Sequence, residues 1–375
     1  MEINMRILLV GAGGYASGYV ESLLGETPRD IAWVGVVDPY VSSCAKKEDI
    51  AAAGIPVYST MEDFYREQQA DLAIICTPPF LHRQQSVCAL SHGSYVLCEK
   101  PAAPTVEDVL AMIEAEKKYG KWIAIGYQWS FSRAIQNVKK DVLSGVLGRP
   151  LSLKTAICWP RDLAYFGRGT GWAGKISKDG VMILDSIASN ACAHYLHNML
   201  FLLGDRMDTS AEVSEIEAAC FRANAIENFD TCSIKMKSNG IPLYFIASHA
   251  TKEKREPEFV YQFENATVEF SQDESKDIKA TFRDGTVKYY GDPFENIFKK
   301  LWDCVDAIRE GSSPICTAKT ALPHVKLIER MHHEVPICDF PNALIRFDDE
   351  KQRFFVQGLY EKIYMAYHSE ELLSF

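Results

Sequence analysis

The chain has 375 residues, of which 47% are hydrophobic and 24% charged, and a formal net charge of −10. This composition excludes a disordered or fibrous protein, and the acidic balance argues against a nucleic-acid partner, whose phosphates demand clustered Lys and Arg. The length calls for two domains, because single cores stop growing at roughly 250–300 residues.

Residues 5–10 read as a short strand that runs into a glycine turn, not as the apolar core of a signal peptide. No apolar run reaches the roughly 18 residues that a membrane span needs. The eleven cysteines are scattered without a CxxC pair, several of them inside apolar stretches, and read as buried reduced thiols. A cytoplasmic protein is the expectation.

Strands are expected at 5–10, 31–37, 71–76, 95–98 and 122–126, with helix-period segments at 14–24, 61–69, 81–92 and 105–119 between them. Thr105 and Asp108 offer a capping box for the last of these. The alternation predicts a doubly wound parallel sheet over residues 1–127. From residue 131 the rhythm changes: a helix to about 144, a strand at 150–158, an irregular Gly-, Arg- and Trp-rich loop at 160–180 and a helix at 188–203. Alternating strands then fill 211–290, with turns at Ser238-Asn239-Gly240 and Asp284-Gly285. Helices are expected at 294–310, 319–331 and 350–368. Residues 128–375 thus read as a C-terminal α/β domain with a large, mostly antiparallel open sheet, giving an α/β fold overall.

Gly11-Ala12-Gly13-Gly14-Tyr15-Ala16 sits between the first strand and the first helix, and Asp38 ends the second strand, 22 residues past Ala16. That context makes a dinucleotide fingerprint. Gly11 permits a tight turn, Gly13 lets backbone approach a pyrophosphate, and small Ala16 lets the helix pack closely with its N-terminus toward the phosphates. Asp38 suits both hydroxyls of an adenosine ribose, and its charge would repel a 2′-phosphate, so NAD is favoured over NADP. Thr77-Pro78-Pro79 ends the next strand of that crevice and His82 opens the following helix, which makes Thr77, Pro78 and His82 candidate cofactor contacts. Glu99-Lys100-Pro101 closes the strand at 95–98. In an open α/β sheet the ligand crevice lies beyond the carboxyl ends of the strands, so Glu99 and Lys100 face cofactor and substrate.

Together with Cys76, Ile125-Gly126-Tyr127 and the residues above, these motifs resemble the glucose-fructose oxidoreductase / inositol dehydrogenase / MocA family. The resemblance is dense over the first third of the chain and thin elsewhere. It implies an N-terminal Rossmann domain, a lysine of the Glu-Lys-Pro motif beside the nicotinamide, and a second domain that binds substrate and mediates a homodimer or homotetramer through its sheet. Counting back from Leu202-Leu203-Gly204 puts His194 at the family's histidine. Asn190 then stands at the preceding aspartate and His197 at the later one; a shifted count brings in Asp185 instead. Trp129-Ser130-Phe131 replaces the arginine that commonly precedes a phenylalanine after Gly126.

Removing hydride from a secondary alcohol needs a base for the hydroxyl proton and a cation to steady the oxygen, and His194 and Lys100 are of those types. Histidine titrates near neutrality, which makes His194 the base and Lys100 the donor to the substrate hydroxyl and cofactor ribose. In some relatives the lysine itself is proposed as the base. Tyr127, Asp185, Asn190 and His197 join them as candidate substrate residues. Trp159, Arg161, Asp162, Tyr165, Arg168, Trp172 and Lys175 crowd the irregular loop; their aromatic faces and planar donors suit sugars or acidic sugars, and equally a subunit interface. His194 and His197 share a helix face as a possible metal pair but have no third ligand nearby, and His332 and His333 diverge, so no metal is expected.

The function expected is an NAD-dependent oxidoreductase acting on a hydroxyl-bearing carbon of a sugar, polyol or sugar acid. The alternatives are a glycosidase that uses NAD for transient oxidation and a non-catalytic nucleotide or sugar sensor. No membrane partner is expected.

Overall fold

The computed structural model describes residues 5–25, 30–169 and 171–375. They form two compact units, one of residues 1–131 with 296–322 and one of 132–295 with 323–375. A single cut at 127/128 therefore misses a return segment: residues 296–322 come back to complete the first unit.

The first unit is a six-stranded sheet of β1 (Met5–Val10), β2 (Ile31–Val37), β3 (Val57–Tyr58), β4 (Leu72–Ile75), β5 (Tyr95–Cys98) and β6 (Ile123–Ile125). The order is β3-β2-β1-β4-β5-β6 and every pair is parallel. Helices α1 (Ser17–Leu24), α2 (Lys47–Ala52), α3 (Met61–Glu67), α4 (His82–Ser91) and α5 (Val106–Tyr119) join the strands. β4 and, apart from half-buried Arg6, β1 are buried, as apolar runs covered on both faces must be. β3 and α2 are too short to show a period, so the sequence gives no sign of them. Thr105 caps α5 by accepting from the Asp108 N–H at 3.2 Å, and Gly120 ends it at φ +65°.

The return segment carries a helix, Lys299–Glu310, and then runs beside β6. There the Ile125 N–H donates to the Cys316 carbonyl at 2.8 Å and Trp122 Nε1 donates to the Ser312 carbonyl at 3.1 Å.

The second unit starts with α6 (Arg133–Leu143) and β7 (Pro150–Cys158). It continues through a loop holding the short helix α7 (Leu163–Phe166) and the hairpin β8 (Ser177–Lys178) and β9 (Val181–Met182), and then α8 (Ala193–Leu202). β10 (Glu215–Arg222), β11 (Thr231–Ser238), β12 (Ile241–Ser248), β13 (Arg255–Phe263), β14 (Ala266–Ser271), β15 (Ser275–Phe282), β16 (Val287–Gly291) and β17 (Ile337–Asp339) follow. With β7 the last eight make a nine-stranded sheet, β16-β15-β14-β13-β7-β12-β11-β10-β17, in which only β7–β12 and β10–β17 pair in parallel. β13 alternates buried and half-buried residues along its whole length, the period-2 signature of a sheet with unlike faces.

One of those faces is covered by the chain itself. Helix Leu359–Ser369 places Leu359, Ile363 and Tyr367 in one apolar cluster with Ala156 of β7 and with Tyr244 and Ile246 of β12. Tyr244 Oη donates to the Glu371 carbonyl at 2.7 Å, and the Leu373 N–H donates to Ser233 Oγ at 2.9 Å. No described helix is long and apolar enough to cross a membrane.

Candidate active site

In the first unit the sheet order reverses direction between β1 and β4, and the crevice for a ligand lies outside their carboxyl ends. The glycine turn leaves β1 at that point. Gly11 has φ +82°, and a Cβ on it would sit 2.8 Å from the Cys76 carbonyl oxygen and 2.9 Å from Thr77 Cγ2, so only glycine fits. Gly13 differs: a Cβ there would meet no protein atom nearer than Cys44 Sγ at 3.8 Å. The fold makes no demand for glycine at residue 13, which leaves the close approach of a ligand as the reason for it. Gly14 has φ +56°, and Ala16 is fully buried under α1.

Asp38 follows β2 and braces the turn. Its Oδ2 accepts from the Ala12 N–H at 2.8 Å and its Oδ1 from the Tyr40 N–H at 2.7 Å. Burial, and then the Asp38 charge, push the Cys44 thiol up to about 11, so this cysteine is a neutral neighbour. An ionised carboxylate accepts up to about four hydrogen bonds. Asp38 therefore has acceptor capacity for ribose hydroxyls beyond these contacts.

Thr77 and Pro78 follow β4 and open its crossover, with Thr77 Oγ1 on Gln85 Oε1 at 2.5 Å. His82 is fully buried, and its ring hydrogen-bonds the Thr77 carbonyl at 2.8 Å and the Pro101 carbonyl at 2.9 Å. Desolvation pulls its pKa down against those carbonyls. His82 thus ties the turn after β4 to the turn after β5 and is occupied by protein, where the sequence offered it as a cofactor contact.

Glu99 is likewise turned inward. Its Oε1 accepts from Tyr19 Oη at 2.6 Å and from Lys300 Nζ at 2.5 Å, while its Oε2 accepts from the Lys100 N–H at 3.3 Å. Gly126 makes room for it, since a Cβ there would lie 2.8 Å from Glu99 Oε1. Lys100 itself is half-buried and joined to Pro101 by a cis bond. Tyr127 is fully buried, and desolvation raises its phenol well above the ordinary value. It lies in the core of this unit.

Lys300 is the residue that the motifs do not announce. It lies on the return helix 201 positions from Glu99, is fully buried, and also donates to Tyr15 Oη at 3.1 Å and to the Gly126 carbonyl at 3.3 Å. Burial alone would lower its pKa, but Glu99 and Tyr15 more than offset that and raise it. One signal was available: Lys300 shares the apolar helix face of Leu301, Cys304 and Ala307, where a lysine needs a partner.

The second unit gathers its candidates from β7, β12, β13 and α8. Trp159 Nε1 donates to Glu256 Oε2 at 2.7 Å, and its ring meets Tyr195 edge-on at 5.5 Å. The Arg161 guanidinium lies 5.5 Å from the Trp159 ring and 4.8 Å from Tyr165; that of Arg168 lies 3.7 Å from Tyr165 and 4.8 Å from Trp172. His249 Nδ1 donates to the Trp159 carbonyl at 2.7 Å, and burial followed by Arg161 pulls its pKa down to about 3, so the ring is neutral. His249 and Glu256, which hold Trp159, carry no sequence motif.

Asp185 is buried and accepts from the Gly174 N–H and from Asn190 Nδ2, each at 2.7 Å, with Arg168 Nη2 at 3.8 Å. The two readings of the aspartate position thus meet in one hydrogen-bonded pair. Every residue of α8 is buried, His194 at 7% exposure and His197 at 1%. His197 stacks on Phe201 and packs against His324, and desolvation holds its pKa well below the ordinary value. It is a core residue of α8.

Residues 5–127 match a family model described as the Gfo/Idh/MocA oxidoreductase family, NAD-binding Rossmann fold. Over this stretch the chain is similar to that family. Its NAD-binding fold is the one built around Gly11 and Asp38. Among curated members, the inositol 2-dehydrogenase of Rhodococcus erythropolis is 32% identical over 156 residues, 41% of this chain and 44% of that protein. The D-glucoside 3-dehydrogenase of Escherichia coli is 30% identical over 145 residues, 38% of this chain and 40% of that protein. The matched stretch thus spans less than half the length of these relatives. Among solved structures, the WlbA dehydrogenase of Bordetella pertussis, in complex with NADH and UDP-GlcNAcA, superposes with a TM-score of 0.71 at 21% identity, covering 88% of this chain and 96% of that one. The aldose-aldose oxidoreductase of Caulobacter crescentus gives 0.71 at 20% identity, covering 88% and 97%. Both share the fold of this chain through the second unit.

Proposed function

We propose that this protein is an NAD-dependent dehydrogenase acting on a hydroxyl-bearing carbon of a sugar, polyol or sugar acid. The observation that carries the reading is Gly13, a glycine with open space above it in a turn otherwise braced by Asp38, as a pyrophosphate-binding backbone requires. Lys100 after β5, two strands from β1 along the same carboxyl edge of the sheet, and the match of residues 5–127 support it.

In this reading Gly11, Ala12, Gly13, Gly14, Tyr15 and Ala16 hold the phosphates, Asp38 takes the adenosine ribose, and its charge selects NAD over NADP. Bound NAD supplies the hydride acceptor. Lys100 donates to the substrate hydroxyl and steadies its oxygen as the carbonyl forms, and His194 takes the hydroxyl proton. Trp159, Arg161, Arg168 and Trp172 offer apolar ring faces and cations, a surface for a pyranose carrying an acidic group. The names of the relatives and structural neighbours, inositol 2-dehydrogenase and aldose-aldose oxidoreductase among them, support that substrate class. Homodimer or homotetramer assembly through the second unit's sheet belongs to the same proposal, and light scattering on the purified protein checks it.

The test is purified protein with NAD and a panel of sugars, polyols, sugar acids and aryl glycosides, followed by NADH absorbance and aglycone release. Steady NADH formation with at least one polyhydroxy substrate is expected. Aglycone release without NADH would replace the reading with a glycosidase, and nucleotide binding without either with a sensor.

A further inference from the structure

The return helix enters the first unit at its most function-bearing corner. Phe298 and Lys300 together reach the glycine turn, α1 and the turn after β5. The Phe298 ring stacks on Tyr15 at 5.4 Å and meets Tyr19 edge-on at 5.0 Å, and it fills the place where a Cβ of Gly18 would stand. Lys300 Nζ lies within hydrogen-bond reach of Tyr15, Glu99 and Gly126, which follow three different strands, β1, β5 and β6. Two glycines, Gly18 and Gly126, are needed for this approach, one to admit the ring and the other to admit the carboxylate.

A structural ion pair alone would not require these attachments. Replacing a buried ion pair by apolar groups is often neutral or stabilising, so its presence is weak evidence of a role in stability. What distinguishes this pair is where the carboxylate leads. Glu99 Oε2 reaches the backbone N–H of Lys100, the residue assigned to the substrate hydroxyl, and Tyr15 belongs to the glycine turn.

We propose that Lys300 is a positioning residue that sets the glycine turn and the Glu99-Lys100-Pro101 turn against one another through Glu99 and Tyr15. The buried ammonium is the counter-charge of Glu99. With it in place, the carboxylate is held between Tyr19 and the Lys100 N–H; without it, the carboxylate is a buried charge lacking its cation and leaves that geometry. The inference rests on the dehydrogenase reading for its effect on turnover, and on the nucleotide fold alone for its effect on NADH binding.

The experiment is a double-variant cycle of Lys300→Met and Glu99→Gln, read by NADH fluorescence titration, by kcat and KM for the best substrate, and by urea unfolding of the nucleotide-free protein. Lys300→Met is expected to weaken NADH binding about tenfold and to lower kcat about thirtyfold at unchanged sugar KM, while adding under about twofold to either loss in the Glu99→Gln background. The double variant removes both charges and so keeps the fold where the single one leaves a charge buried. A lowered urea midpoint with NADH affinity and kcat unchanged overturns the proposal, because that is a purely structural pair. Full additivity in the cycle also overturns it. If no substrate is turned over by the unaltered protein, the dehydrogenase reading fails and the NADH titrations still decide the role of Lys300.

Discussion

The two units carry their chemistry in opposite ways. In the first, the residues of interest stand at strand ends that the parallel order itself brings together, so Gly11 after β1, Asp38 after β2 and Lys100 after β5 need only local signals to be found. In the second, Trp159 is held by Glu256 from β13 and by His249 after β12, and Asp185 is paired with Asn190 from the turn before α8. Topology makes a site readable where it concentrates the residues; where a site is assembled from scattered segments, only the folded chain displays it.

The contrast is broken most directly at Lys100. Lys100→Ala is expected to lower turnover by about 10²–10⁴-fold while NADH affinity stays within about threefold, because in the proposed reaction the lost group acts on the reacting oxygen. An equal loss of NADH affinity would move Lys100 to the cofactor. Next comes the first unit's packing. Gly18→Ala drives a methyl into the Phe298 ring and should destabilise that unit by about 3 kcal/mol, seen as a lowered urea midpoint, whereas Gly240→Ala, at a turn with open space around it, should cost about 1 kcal/mol.

For the second unit, Trp159→Ala removes the ring between Glu256 and Arg161 and should raise sugar KM about tenfold, with NADH affinity unchanged, if that loop holds substrate. Unchanged KM with altered light scattering would return the loop to its other reading, a subunit interface.

The smallest effect is a pH dependence confined to the first unit. Burial raises the Glu116 pKa from its ordinary 4.5 to about 7, against the stabilising hydrogen bond from the Ile123 N–H. The stability from a raised acid is complete below its unfolded pKa and is lost as pH rises through the folded one. Glu116→Gln keeps the acceptor without the charge, so its urea midpoint should match the parent near pH 4 and exceed it near pH 8. Equal midpoints at both values would contradict the assignment.

Most of the first unit was legible because its signals are short-range. Five of its six strands carry unbroken apolar runs, and Gly11, Ala16 and Thr105 each have a stated local duty that the structure displays. His82, Glu99 and Tyr127 show the limit. A polar residue near a crevice looks the same in sequence whether it faces a ligand or laces the scaffold, and burial, which separates the two, is a tertiary property. Lys300 was only half legible for the same reason: its apolar helix face calls for a partner, but that partner is 201 residues away and is named by the folded chain alone. In the second unit the alternating strands gave the sheet but not its order, and the helix at the chain's end gave no hint that it covers β7 and β12.

In the proposed reaction, hydride leaves a sugar carbon for a nucleotide held by the first unit. Its most direct test is mass spectrometry of the nucleotide after incubation of the protein, NAD and a carbon-deuterated substrate from the sugar panel. NADH carrying one deuterium is expected, in step with the oxidised sugar; substrate consumed with no deuterium in the nucleotide would overturn the proposed reaction.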